Sequence, residues 1–327
     1  MPTRRFSDLS PAEQLDVLDA FLGTSEKVDF TEKLAGQHLT LIVHPDGSVE
    51  HVGKFGGKSG LFPAVNKAIK NYHPSVANDV RYEFEVLKKD FRSDFINYPI
   101  EKDAIVVELT GQMPKSIVDV LNSSQDQIGF MSRDAIKKKV GGLAIDSDVV
   151  EDLTLYRDMI SAGTHPPKPE AKRIELILME LINSGKLPSS LGSAAIEGLF
   201  GNVASGGFKI PSKSYADLQR DQSKFFAVMR KTPMATLKAR FASAVSNPSS
   251  DRLVSDVLEY IEKMSTKETP RGFRVYFSKQ ELTNLKALSE EYRSGSVAAG
   301  VELAETFFKR VQNKSSWHVI EHRKYLS

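Results

Sequence analysis

The chain has 327 residues, of which 40% are hydrophobic, 26% charged and 9% aromatic, an ordinary globular balance for one large domain or two of common size. Forty-four basic against forty-two acidic residues leave a net charge of +2, too little to argue for nucleic-acid binding by charge alone. There is no cysteine, which excludes disulfides, thiolate catalysis and cysteine-ligated zinc.

At the N-terminus, MPTRRFSDLSPAEQ has no apolar stretch after its arginines, and no run in the chain approaches the roughly 18 apolar residues of a membrane helix. A soluble, cytoplasmic protein is therefore expected. Ser10, Pro11 and Glu13 spell an N-cap, a first-turn proline and a capping-box acid. Leu15, Val17, Leu18 and Phe21 supply the apolar face of that helix, and Gly23 stops it. From Val28 the period changes. Residues 39–43 (LTLIV) read as a strand, 44–47 (HPDG) as a turn and 48–52 as a returning strand. Further strands are expected at 82–87 and 104–109, with a helix around 132–139.

Helices follow at 148–160 and 169–182, separated by GTHPPKP, which proline keeps out of helical conformation. Residues 196–200 and 207–210 read as two short strands. After Pro211 nearly everything is helical in pattern: 215–229, 233–245, 252–264, 280–292 and 297–311, with 273–277 (FRVYF) as a lone strand. The expected organisation is an N-terminal helix (1–27), a mainly antiparallel α+β domain (28–213) and a helical C-terminal domain (214–327).

Four segments carry chemistry by composition and order. They are Phe30-Thr31-Glu32-Lys33-Leu34-Ala35-Gly36 with the hairpin leading to Lys54 and Lys58, then Tyr82–Leu87 with Glu85, then Ile196-Glu197-Gly198-Leu199-Phe200, then Gly206-Gly207-Phe208-Lys209-Ile210. This set resembles the covalent nucleotidyltransferases, that is ATP-dependent RNA and DNA ligases and mRNA capping enzymes, and is closest to RNA ligases and phage-encoded relatives. EKLAG is similar to their E-K-x-D-G core, FEVL to their glutamate-bearing strand, EGLF to their E-G-x-V element and GGFKI to their final lysine strand. The resemblance covers roughly residues 28–212, and the motifs are short, so their order carries the weight.

The resemblance implies a ligase-like fold, ATP and Mg²⁺ as cofactors, and a 5′-phosphorylated nucleic acid, RNA more than DNA, as partner. It implies Lys33 as the nucleophile that takes AMP and Lys209 as the group neutralising the α-phosphate. Glu85 and Glu197 would hold the metal or ribose hydroxyls, while Glu32, Gly36 and Lys54 (or Lys58) would complete the nucleotide site. A free lysine, with a pKa of about 10.4, is almost wholly protonated at neutral pH, so neighbouring cations that favour proton loss serve such chemistry. Two positions depart from the family pattern: Ala35, where a polar residue is usual, and Pro211, where a second lysine is usual. They leave open a second reading, a phage accessory or structural relative that binds nucleotide or nucleic acid without covalent chemistry. A third is an interaction protein whose lysines are only solvated surface charges.

Other patterns weigh less. GKFGGKS (53–59) mimics a phosphate-binding loop, but the required earlier glycine falls on Val52. His318-Val319-Ile320-Glu321-His322 spells H-x-x-E-H, which on a helix would put both imidazoles on one face. The chain continues only five residues further, leaving no downstream third ligand, and a surface or interface segment is the expected reading. The basic and aromatic residues at 220–231 and 307–310 fit nucleic-acid contact or, more simply, amphipathic helices with a wet basic face.

Overall fold

The computed structural model of the chain describes residues 4–52, 77–89, 96–124, 126–183, 187–265, 273–275, 277–313 and 317–319. Two compact units divide them, one drawn from 4–89 and 96–213, the other from 214 onward. The fold is α+β, and each unit has its own core.

The first unit contains β1 (Arg4–Arg5), α1 (Pro11–Phe21), β2 (Asp29–Glu32), β3 (Gln37–Val43), β4 (Val49–Val52), β5 (Val80–Lys88) and β6 (Ala104–Glu108). It continues with α2 (Lys115–Ser124), β7 (Ile128–Met131), β8 (Lys137–Lys138), α3 (Ser147–Ser161), α4 (Lys168–Asn183), β9 (Gly198–Val203) and β10 (Gly206–Pro211). Two five-stranded sheets result, ordered β1-β10-β9-β2-β8 and β4-β3-β5-β6-β7. Every pairing is antiparallel except β1 with β10 and β6 with β7.

The β3–β5 sheet follows from alternation. Tyr82, Phe84 and Val86 point into a core with Leu39, Leu41, Val106 and Phe130, which α2 covers with Val118 and Leu121. The odd-numbered residues of β5, among them Glu83 and Glu85, consequently occupy the opposite face. The other sheet buries Phe30, Leu199, Phe208 and Ile210. Phe30 stands edge-on between Phe21 of α1, at 5.5 Å, and Phe208, at 6.0 Å. Residues 4–27, set apart in the sequence reading, contribute to this unit, since β1 extends the sheet and α1 packs against α3. Tyr156 of α3 donates to the buried Gln14 amide oxygen at 2.7 Å.

Pattern and structure part company at 132–139. In place of a helix, Arg133–Ile136 make a single 3-10 turn and Lys137–Lys138 pair with β2. Arg133 forms an ion pair with Asp29 of β2. Edge pairing to β2 and that ion pair outweigh local helix propensity, which is a weak prior. In the 163–169 segment, α4 starts early enough to take Lys168 and Pro169 into its first turn, where proline loses no hydrogen bond.

The second unit contains α5 (Lys213–Lys231), α6 (Met234–Ser243), α7 (Arg252–Ser265), β11 (Phe273–Val275), α8 (Lys279–Arg293), α9 (Val297–Gln312) and β12 (Trp317–Val319). Phe241, Tyr292, Phe307 and Phe308 are fully buried at its centre, and the Tyr292 hydroxyl donates to the Phe241 carbonyl at 2.9 Å. The aromatics of α9 are thus core, while Lys309 pairs with Glu305 and Arg310 with Glu281. The strand at 273–275 is not alone, because β12 pairs with it and sets His318 opposite Arg274. His318 is therefore in a strand; Glu321 and His322 lie outside the described residues. Among the described residues no helix is long and apolar enough to cross a membrane.

The capping box at Ser10 forms as expected and does more than start a helix. The Glu13 carboxylate accepts from the Ser10 amide at 3.0 Å, and its second oxygen accepts from the Ser205 amide at 3.1 Å and from the Ser205 hydroxyl. It thereby ties α1 to the turn between β9 and β10. Burial alone would raise the Glu13 pKa, but these hydrogen bonds from Ser205 and Ser10 overcome it and hold the group at about 2 rather than 4.5. A depressed folded-state pKa stabilises the fold above the unfolded value and loses that contribution as pH falls towards the folded value. Glu13→Gln is therefore expected to cost about 1–3 kcal/mol at pH 7 in denaturant titration, with the gap from wild type closing between about pH 4.5 and 2.

Candidate functional site

The segment from Glu32 to Gly36 leaves the end of β2 and enters β3, so it crosses from one sheet to the other. Each stage of that crossing is anchored from a different part of the chain. The Lys33 amide donates to the Gly198 carbonyl at 2.9 Å, prolonging the β2–β9 ladder by one residue. The Ala35 amide donates to the Tyr98 hydroxyl oxygen at 3.0 Å, and the Gly36 amide to Glu85 Oε1 at 2.8 Å.

Lys33 Nζ forms an ion pair with Glu197 Oε1. The Glu197 side chain is wholly buried, and the Lys33 side chain is 17% exposed. A buried carboxylate needs such a partner, since an isolated charge at this depth costs several kcal/mol. Glu197 is itself held in place through its backbone: its carbonyl accepts from the Ser212 amide at 2.9 Å, and the Ser212 hydroxyl donates to the Ile196 carbonyl at 2.8 Å.

Two glycines make these approaches feasible. At Gly198 the backbone adopts φ 152°, and an added Cβ would lie 2.3 Å from the Ile210 carbonyl oxygen. At Gly36 a Cβ would lie 2.7 Å from the Val86 carbonyl oxygen and 3.0 Å from Glu85 Cγ. Glycine is thus required for the turn into β9 and for the close passage beside β5.

Lys209 is on β10, opposite Phe200 of β9, and is only 3% exposed. Lys33 lies beside Gly198, and Gly198 lies opposite Pro211. Lys209, two residues before Pro211, therefore falls on the Lys33 face of the sheet. Phe200, its cross-strand partner, is an exposed aromatic on the same face.

The structure thus brings Lys33 together with Glu197 and Gly36 together with Glu85, and puts Lys209 on the sheet face that carries Lys33. It places Glu32 elsewhere. As the neighbour of Lys33 in extended chain, Glu32 turns to the opposite face, where its carboxylate takes the Ser189 hydroxyl at 2.7 Å and Lys138 Nζ at 3.1 Å. Its side chain has no exposed surface, so the nucleotide contact expected of Glu32 gives way to an internal network. Lys54 and Lys58 lie outside the described residues.

Sequence reasoning missed Tyr98, Ser212, Lys138 and Ser189, none of which belongs to a motif. It also missed His38, whose ring stands 3.8 Å from Glu85 Oε2 and 3.5 Å from Glu83 Oε2. His38 pairs with Glu85 across β3 and β5, and the register supplied the one available signal once the strands were aligned. Among the described residues no group of three or more His, Asp and Glu side chains is gathered to hold a metal without other ligands. Glu85 and Glu197 each carry the hard carboxylate oxygens that Mg²⁺ takes, Glu85 with one oxygen on the Gly36 amide and Glu197 paired with Lys33. In the second unit an open cavity of about 350 Å³ is lined by Lys224, Arg240 and Arg252 against Asp221 and Asp256, with Arg240 already committed to Asp251.

No protein-family model matches the chain, and no curated protein matches its sequence.

Gly198→Ala is expected to destabilise the first unit by about 2–4 kcal/mol in chemical denaturation, because both the backbone angle and the Ile210 carbonyl oppose a side chain. A cost below about 0.5 kcal/mol would mean that β9 and β10 are not in this close register.

Proposed function

We propose that the chain is an ATP-dependent nucleotidyltransferase of the polynucleotide-ligase kind, transferring AMP to Lys33 and then to the 5′-phosphate of a nucleic acid, RNA before DNA. The observation that carries the proposal is the Lys33–Glu197 pair. A primary amine stands at the end of a strand against a buried carboxylate, with a second buried lysine on the same sheet face.

In this reading Lys33 Nζ attacks the α-phosphorus of ATP. The N–P bond forms, the bond to the pyrophosphate oxygen breaks, and pyrophosphate leaves. An ammonium has no lone pair, so a proton must first go, and Glu197 is the base in contact with it. Lys209 offsets the negative charge that grows on the α-phosphate; a preorganised donor of this sort is worth a factor of about 10²–10³ in rate. The amides of residues 33, 35 and 36 are all committed to protein acceptors, which fixes the backbone around the nucleophile before substrate arrives. Glu85, which takes no proton in this step, is the carboxylate that would help hold Mg²⁺, and the ion would supply positive charge beside the phosphates.

The second reading, binding without covalent transfer, draws on the two departures from the family pattern. Ala35 is buried and offers only its backbone, and Pro211 sits in β10 opposite Gly198 with neither a charged side chain nor an amide proton.

Incubation with α-labelled ATP and Mg²⁺ separates the two. Under the first reading, wild-type protein acquires a covalent label that is absent from Lys33→Ala and forms about a hundredfold more slowly in Lys209→Ala. Saturable ATP binding without any adduct selects the second reading. No label with any donor nucleotide or divalent metal removes the enzymatic claim.

A further inference from the structure

The Glu32 network has a relation to Lys33 that goes beyond burial. Glu32 Oε1 accepts from the Ser189 hydroxyl at 2.7 Å, and Glu32 Oε2 accepts from the Ser190 amide at 2.5 Å and pairs with Lys138 Nζ at 3.1 Å. The Lys138 ammonium also donates to the Pro188 carbonyl, so residues 188–190 are gripped from both β2 and β8. Eight residues after Ser189 comes Glu197, which is held by Lys33. Two consecutive residues, Glu32 at the end of β2 and Lys33 just after it, thus contact both ends of a single segment, Glu32 its beginning and Lys33 its end.

The segment between is built as a strap. Ile196 and Glu197 are buried at one end, and Leu187 is buried just before the other. Gly192 and Ala194 in the middle are exposed. Ser189 closes its own turn by accepting from the Leu191 amide at 3.1 Å. Ser212 and the start of β9 fix the far end of the strap at residues 196–198, and the Glu32 network fixes its near end at 188–190. Held at both ends, the strap presents the Glu197 carboxylate to Lys33 in one place.

We propose that Glu32 is a positioning residue: it docks the 188–197 strap onto the end of β2 and so sets the contact between Glu197 and Lys33. The functional meaning of that contact rests on the reading of Lys33 as a nucleophile, whereas the positioning itself does not. Glu32 works from the buried face and touches no reacting atom. Its charge is used to hold Ser189, Ser190 and Lys138, and its neighbour Lys33 is left to the chemistry on the other face.

The test measures the accessibility and nucleophilicity of the Lys33 amine without nucleotide, so it remains informative even if no adenylylated protein ever forms. The full-length protein is treated briefly with sulfosuccinimidyl acetate at neutral pH, and acetylation is quantified peptide by peptide by mass spectrometry. Lys27, whose side chain is 73% exposed, serves as the internal reference. Wild-type Lys33 is expected to react slowly, and Glu197→Gln to release it. Glu32→Gln is expected to raise the Lys33 rate at least about tenfold towards that of Glu197→Gln, with Lys27 unchanged. Because Glu32→Gln leaves Lys138 buried without its counter-charge, Ser189→Ala and Ser189→Thr are measured as well. The alanine should speed Lys33 labelling by about threefold and the threonine, which keeps the hydroxyl, should restore the wild-type rate. Lys33 labelling at the wild-type rate in folded Glu32→Gln overturns the proposal, as does an unchanged rate in Ser189→Ala should the glutamine variant not fold.

Discussion

A carboxylate with no exposed surface, facing a lysine that retains a little, sets the terms for the centre of the first unit. Taking Glu197 out of water is offset in part by Lys33 standing against it, and removing the lysine would take a counter-charge from a wholly buried carboxylate. That demand propagates. Lys33 must end β2 at a fixed height, Gly198 must bring β9 alongside without a side chain, and Ser212 must hold the backbone of residues 196 and 197. The sheet order β10-β9-β2 is the arrangement that satisfies all three.

The same few residues join the two sheets. Residues 32–36 run from the β2 sheet to the β3 sheet, and their amides find acceptors in Gly198, Tyr98 and Glu85, which belong to separate stretches of chain. Unpaired amides in such a buried crossing would each cost on the order of 1–3 kcal/mol, so the acceptors are structural necessities as well as site components. This double duty explains why Glu85 points away from the core of its own sheet. Alternation along β5 sends Phe84 and Val86 inward and leaves Glu85 to meet Gly36. The acidic group at Glu32 shows the converse, a charge spent entirely on internal cohesion although it neighbours the candidate nucleophile.

Much of this was legible beforehand. The capping box at Ser10, the hairpin through His44–Gly47, the strand around 82–87, and the change from mixed to helical pattern near residue 213 all follow from period and turn chemistry acting over a few residues. The short helix expected at 132–139 failed because its neighbours had competing uses: Arg133 for Asp29, and Lys137 and Lys138 for the edge of β2. The strand at 273–275 was read as solitary because its partner lies more than forty residues later.

Local sequence determined most of the strands and helices and the turns and caps that bound them, because those properties depend on side-chain period and backbone preference within one element. Only the tertiary structure decided which of the charged residues meet. Lys33 and Glu197 are 164 positions apart and Glu32 and Ser189 are 157 apart, and nothing in either neighbourhood announces the other. Motif order had grouped Glu32 with Lys33 as one site. The pleat of β2 separated them, because consecutive residues in an extended chain must face opposite sides, and the partners waiting on each side then gave one the buried network and the other the site.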